Sequence, residues 1–308
     1  MLRPVLIRLS QESRLRTLAS HNPVLRSMAR RFVAGETLEE AIDVVRATNA
    51  RDMTVTLDHL GENVQTAAQA RAAAEDYCGM LAEITRAGVT SNVSLKLTQL
   101  GLDLGDDVAY ENLRRVVDVA AQDDNFVRID MENSEYVDRT LAIFYRLFET
   151  HRNLGVVIQS YLYRSEADVA RLIEAGARVR LVKGAYLEPA TVAYQDKADV
   201  DRNFVVLMEM LLARGNYPAI ATHDPAMIDA TRNFAAQQGI EASRYEFQML
   251  YGIRRDLQTE LVRAGYNVRI YVPFGTEWYP YLMRRMAERP ANLMFVLGNV
   301  AREALPSR

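Results

Sequence analysis

The sequence predicts an α/β chain folded as a (β/α)8 TIM barrel with helices flanking its N-terminal side. Two observations carry that prediction. Eight short β-rich segments recur along the chain, and a helical pattern separates each from the next. No low-complexity stretch, long linker or composition break interrupts the series, which favours a single domain. The doubly wound alternative is weaker, because no Gly-rich nucleotide fingerprint follows the first strand.

The strands are expected at Met53–Leu57, Asn92–Leu97, Phe126–Met131, Val156–Gln159, Val179–Lys183, Ala219–Thr222, Tyr245–Gln248 and Val268–Val272. Helical patterns fall at Val64–Arg86, Tyr110–Ala121, Tyr136–Thr150, Glu166–Ala175, Asn203–Ala213, Pro225–Gln238 and Arg255–Ala264. Gly88, Gly155, Gly176 and Gly265 each lie between a helical run and the next strand, where a C-cap is expected. Residues 1–45 read as a helical flanking segment, and residues 46–308 as the catalytic barrel. After strand eight, Pro273 and Gly275 mark a turn into a last helix, with Thr276 as its N-cap and Pro280 tolerable only in the first turn. Helical spacing puts Trp278, Tyr281, Arg284, Arg285 and Glu288 on one face, and Leu282, Met283 and Met286 on the other. Two arginines above aromatic rings suit a small carboxylate, while a solvated, salt-bridged helix end is the plainer alternative.

Composition narrows the function. The net charge of −3, with no basic tail or stripe, gives no indication of nucleic-acid binding. Cys78 is the only cysteine, which excludes an internal disulfide and a cysteine-based metal cluster and suits a reducing, cytoplasmic setting. No apolar run approaches the ~18 residues of a membrane span. Arginines interrupt the apolar N-terminus, which argues against a secretory signal, and Glu12 argues against an organellar leader.

Barrel enzymes build their active sites at the C-terminal ends of the strands. Those ends here read Asp58-His59-Leu60-Gly61-Glu62, Lys96, Asp130-Met131, Gln159, Arg180 with Lys183-Gly184-Ala185-Tyr186, Thr222-His223-Asp224, Gln248 to Tyr251, and Tyr271. Any one of them could be a structural hydrogen bonder; a polar group at nearly every end is the stronger signal. Lys96 and Asp130 are charges expected within adjacent strands, so they are expected to pair with each other. Lys183 also admits a Schiff-base aldolase reading. His59 and His223 lack HxH or HxxxH spacing, so no metal site is expected.

Taken together, these segments resemble the proline dehydrogenase family in its compact, monofunctional bacterial form. The most specific stretches are Arg180-Leu181-Val182-Lys183-Gly184-Ala185-Tyr186, Arg269-Ile270-Tyr271-Val272-Pro273-Phe274-Gly275 and the Tyr281-x-x-Arg284-Arg285 helix. Leu95-Lys96-Leu97, Ile129-Asp130-Met131, Ile158-Gln159, Ala221-Thr222-His223 and Glu246 to Leu250 support them in order. The resemblance implies a distorted barrel that binds FAD non-covalently, FMN being the alternative flavin, and oxidises L-proline to Δ1-pyrroline-5-carboxylate.

In that reading Arg284, Arg285 and Lys96 hold the proline carboxylate, and Asp130 pairs with Lys96. Tyr271, Tyr281, Leu250 and Ala185 line the ring pocket, and Glu62 gates it by pairing with Arg284. Arg180 approaches flavin N5, where the hydride arrives. Met131, Gln159, Val182, Lys183, Gly184, Thr222, His223 and Gln248 contact the flavin, Gly184 through a close backbone approach. Proline binds as the free amine, a membrane quinone reoxidises the flavin through peripheral contact with the inner membrane, and a separate dehydrogenase takes the product. Asp224 stands where the family commonly has Asn. A folate-reductase-like flavin barrel, and a catalytically silent barrel that binds an anionic metabolite, are the remaining alternatives.

Overall fold

The computed structural model describes residues 29–61 and 64–288. Among them, eight parallel strands close into a barrel in chain order. They are β1 (Thr54–His59), β2 (Ser91–Leu95), β3 (Val127–Ile129), β4 (Leu154–Gln159), β5 (Arg178–Val182), β6 (Ala219–Ala221), β7 (Glu246–Leu250) and β8 (Asn267–Phe274). The register Val55↔Ile270 and Thr56↔Tyr271 closes the ring between β1 and β8. The helix α1 (Leu38–Asn49) precedes β1. Helices α2 (Ala67–Ala87), α3 (Asp106–Gln122), α4 (Val137–Phe148) and α5 (Ser165–Glu174) follow β1 to β4 in turn. Helices α6 (Lys197–Arg214), α7 (Pro225–Gln237), α8 (Arg255–Arg263) and α9 (Trp278–Glu288) follow β5 to β8.

Side-chain alternation along each strand decides what lies inside the barrel. Val93, Leu95, Val127, Ile129, Val156, Ile158, Val179 and Leu181 are all buried in the core between strands and helices. Their alternate neighbours Ser94, Arg128 and Arg180 are polar and equally buried, and Arg180 Nη1 donates to Ser94 Oγ across the barrel. Lower in the barrel, Glu246 accepts from Arg269 Nε at 2.9 Å, and Arg128 Nη1 donates to the carbonyls of Arg178 and Val156. Burial alone would push the Glu246 carboxyl up, but the Arg269 charge and its hydrogen bonds outweigh it and hold that carboxyl below its usual range.

The ends of the helices follow from short local signals. Thr37 and Glu40 form a capping box at α1, and Thr66 and Gln69 form another at α2. Gly88 closes α2 at φ +63°, as expected. Gly155 is a correction: it lies inside β4, where a Cβ would come within 2.5 Å of the Arg178 carbonyl and 2.6 Å of the Phe126 ring. Glycine is needed there for close approach between strands, not to end a helix. The last helix begins at Trp278, so Glu277 rather than Thr276 precedes it, and Pro280 does fall in its first turn.

The barrel departs from regularity at its closure. α1 packs against β1 and β8, on the flank that the eighth helix of a regular barrel covers. α9 is thereby displaced over the mouth, burying Trp278, Tyr279, Tyr281, Leu282 and Met283 against Phe32, Val33, Leu60 and Ile253. Both faces of this helix are therefore largely buried, and Tyr281 and Arg285 reach the cavity below.

Candidate active site

A cavity of about 520 Å³ opens at the C-terminal ends of the strands. Lys96 follows the last residue of β2, and Asp130 and Met131 follow β3. Both charges thus stand just beyond the strands instead of within them, because β3 ends at Ile129. Gln159 ends β4, Arg180 and Val182 belong to β5, and Lys183, Gly184 and Ala185 follow it into the cavity wall. Thr222 and His223 follow β6, Gln248 and Leu250 come from β7, Tyr271 from β8, and Tyr281 and Arg285 from α9. Glu62 lies outside the described residues. Arg284 is placed on α9 by its backbone, and its side chain lies outside the description.

Asp130 is the hub of the polar network. One carboxylate oxygen accepts from Arg180 Nη1 at 2.7 Å and from Ser94 Oγ at 2.6 Å. The other accepts from the Tyr271 hydroxyl at 2.8 Å. Lys96 Nζ is only 4.0 Å from Asp130 and lies nearer Asp58, 3.4 Å from both of its oxygens. The expected Lys96–Asp130 pair is therefore a shared arrangement: Asp58 is the nearer partner of Lys96, and Arg180 is the principal cation of Asp130. Burial, then the Asp130 and Asp58 charges, pushes the Tyr271 phenol well above its ordinary range, so it remains a proton donor to Asp130. The Arg180 guanidinium also sits 5.3 Å from the centre of the Tyr271 ring.

Lys183 is clamped by two carboxylates, Asp201 at 2.5 Å and Asp224 at 2.7 Å, and Lys197 joins both. An ammonium held this way is an anchored cation, which is poor geometry for an amine nucleophile. For Asp201 and Asp224, burial raises the carboxyl pKa, but the bonds from the lysines outweigh it, and both end below their usual 3.8. A carboxyl lowered on folding stabilises the fold above the unfolded value and loses that contribution as pH falls through the folded one. Lys183→Met is therefore expected to be less stable than the parent at neutral pH, with the gap closing below 3.8. Denaturant titrations of both proteins at about pH 7 and about pH 3 check this, and a gap of constant size would contradict it.

Several buried groups have hydrogen-bonding capacity left over among the described residues. Nε and Nη2 of Arg180 have no partner, although the residue is only 4% exposed. Gln159 donates to the Met131 carbonyl at 3.4 Å and leaves its Oε1 unpaired. Buried polar atoms are seldom left unmet, so both residues present a donor edge and an acceptor to whatever fills the cavity. His223 Nε2 accepts from the Leu250 N–H at 2.9 Å, which fixes an unprotonated Nε2. Gln248 is turned down the barrel, its amide donating to Glu246. Gly184 has φ +113°, and a Cβ on it would strike the Tyr161 ring at 2.4 Å. The glycine is thus required by Tyr161 and by its own backbone conformation, independently of any cofactor.

The strand-end reading names Asp58 without giving it a partner, and it does not single out Ser94, Tyr77 or Asp201. Asp58 is 1% exposed in β1 and anchors Lys96, with the Tyr77 hydroxyl 3.4 Å away. Its signal was available: Asp58 and Ser94 are polar residues at the ends of apolar strands, in register with each other. Asp201 had none, being a charge on the first turns of a solvated-looking helix.

Taken as a whole, a cup at the mouth of a (β/α)8 barrel, lined by Lys96, Arg180, Lys183 and Arg285 beside Asp58, Asp130 and Asp224 and carrying spare donors, has the form of a barrel-enzyme active site. A profile of the proline dehydrogenase family matches residues 41–297. Proline dehydrogenase 1 of Bacillus subtilis is 43% identical over 303 residues, covering 98% of this chain and 100% of that protein. Proline dehydrogenase of Deinococcus radiodurans is 44% identical over 276 residues, covering 88% and 89%. The structure of proline utilization A from Bdellovibrio bacteriovorus inactivated by N-propargylglycine superposes with a TM-score of 0.81 at 29% identity. It covers 90% of this chain, which spans 34% of that longer one. The chain belongs to the proline dehydrogenase family and is an oxidoreductase.

Proposed function

We propose that the chain oxidises L-proline to Δ1-pyrroline-5-carboxylate, the first step of proline catabolism to glutamate, with non-covalently bound FAD. The observation that carries this reading is the set of unmet hydrogen-bonding atoms on Arg180 and Gln159, in the cavity that also receives Lys96 and Arg285. A flavin ring has both acceptors and an N–H donor on its polar edge, so a spare Arg fork and a spare amide oxygen fit it. Arg180, Gln159, Met131, Val182, Lys183, Gly184, Thr222, His223 and Gln248 would hold it. When bound, the flavin supplies the two-electron acceptor.

The rest of the mechanism belongs to side chains of this chain. Arg284, Arg285 and Lys96 grip the substrate carboxylate, and Asp58 holds Lys96 in place for that task. Asp130 orients Arg180 and Tyr271 by accepting from both. Its lone pairs are engaged by three donors, which makes it a positioning carboxylate. Tyr271, Tyr281, Leu250 and Ala185 wall the substrate ring, and α9 over the mouth keeps water from it. Glu62 would close the site by pairing with Arg284. Electrons pass to a quinone during peripheral contact with the inner membrane from the cytoplasmic side. Among the described residues, no helix is long and apolar enough to cross a membrane. A separate dehydrogenase consumes the product.

Mass determination of the cofactor released by denaturation, and of the product formed with a soluble quinone analogue, tests this reading. FAD and a product two hydrogens lighter than proline are expected; no flavin after reconstitution, or proline unchanged, would overturn it. Replacing Tyr271 by Ser shortens the pocket wall. Tyr271→Ser is expected to raise the efficiency for hydroxyproline relative to proline by about tenfold, roughly the scale of a one-group steric discrimination. An unchanged ratio would remove Tyr271 from the wall.

A further inference from the structure

A second cavity of about 470 Å³ lies at the other end of the barrel, with Arg178, Arg214 and Arg244 in its wall. Arg178 opens β5, Arg214 ends α6 and Arg244 precedes β7, so the cavity sits at the N-terminal ends of the strands, away from the active site. Among the described residues, none of the three guanidinium groups has a carboxylate partner. The nearby Glu241 accepts from Ser243 Oγ at 3.2 Å. In a chain of net charge −3, three uncompensated arginines around one concavity are a local excess of positive charge.

The three arginines are exposed, and part of the wall around them is held in place. Arg178 lies 5.4 Å from the Phe126 ring and 5.5 Å from the Tyr217 ring, which between them fix the guanidinium. Tyr217 adopts φ +45°, a conformation that a bulky residue reaches only at a cost. Burial, followed by the Glu246 charge, pushes its phenol up to about 12, which keeps the hydroxyl protonated. Asn216 ties this loop to the preceding one by donating to the Gly176 carbonyl at 2.9 Å.

We propose that this cavity binds a phosphate-bearing anion, gripped by Arg178, Arg214 and Arg244. Planar guanidinium forks match phosphate oxygens two at a time, and a cavity of this size admits the phosphate with part of whatever carries it. Two sources present that chemistry: a free phosphate ester, or the headgroup of an anionic lipid. The site is independent of proline and of the flavin.

The test uses the whole chain with excess FAD, so that the barrel mouth is not the site being read. Inorganic pyrophosphate is titrated calorimetrically, and co-sedimentation is measured with phosphatidylcholine vesicles with and without phosphatidylglycerol. Binding to at least one probe is expected, weakened about tenfold or more in the Arg214→Gln, Arg244→Gln double variant, while its melting temperature and proline oxidation match the parent. Saturable pyrophosphate binding identifies the free ester as the source, and binding to the charged vesicles alone identifies the lipid headgroup. Should the double variant misfold, Arg244→Gln alone changes one exposed residue and is expected to weaken the same probe. Binding to neither probe, or equal binding by parent and variants, would overturn the proposal.

Discussion

Asp130→Asn is expected to lower kcat/KM for proline by about 100-fold or more, the scale of a few kcal/mol lost from a buried charge network. The carboxylate of Asp130 is the one acceptor shared by Arg180, Ser94 and Tyr271. Asparagine keeps its shape but removes the charge, and places an amide N–H₂ against groups that are themselves donors. Arg180, only 4% exposed, then keeps a buried charge with no anion beside it. Removing one partner of such a pair costs roughly 3–5 kcal/mol, part of it in stability and part in the lost orientation of Arg180 and Tyr271. The variant should therefore melt at a lower temperature as well as turn over slowly. Steady-state kinetics at saturating flavin separate the two effects. A kcat/KM within about threefold of the parent would show that the network around Asp130 does not position the reacting groups.

Arg285→Met, and separately Arg284→Met, is expected to raise the KM for proline by at least about tenfold with little change in bound flavin, since a charge-assisted bond contributes roughly 1.5–3 kcal/mol. Arg285 lines the cavity from α9, its guanidinium 5.1 Å from the Tyr281 ring. The ring fixes the plane of the guanidinium, and the helix backbone sets its height above the cavity floor. Methionine preserves the length and packing of the side chain while removing its donors. The loss should therefore appear in substrate affinity, with the absorbance of the bound flavin as an internal control. Unchanged KM in both variants would leave Lys96 as the cation that holds the carboxylate.

Much of this architecture was legible in the sequence because two periodicities coincide in it. Val93-Ser94-Leu95 and Val127-Arg128-Ile129 alternate in the way a barrel strand must, and their flanking helices carry long amphipathic patterns. The strand positions held to within a few residues, and the cavity assembles most of the residues that the strand ends suggested. The ion-pair partners were less legible. Lys96 and Asp130 are neighbours across β2 and β3, yet the shorter contacts run from Asp130 to Arg180 on β5 and from Lys96 to Asp58 on β1. Which of several charges inside a closed barrel approach most closely depends on strand stagger and side-chain reach, which one sequence does not encode locally. The ionic layer of Arg128, Glu246 and Arg269 is illegible for the same reason, since each residue alone resembles a solvated strand position. Gly155 and Gly184 show a further limit: both are required by rings on other elements, Phe126 and Tyr161, that lie far off or out of pattern in the sequence.

The most direct measurement is an absorbance spectrum of the purified, FAD-reconstituted protein without oxygen, before and after addition of L-proline. Flavin bands that bleach on addition of L-proline are expected, since the cavity offers spare donors for a flavin and cations for an amino-acid carboxylate. Bands that persist would contradict proline as the electron donor, and a protein that retains no flavin at all would contradict the assignment of Arg180 and Gln159 to a cofactor.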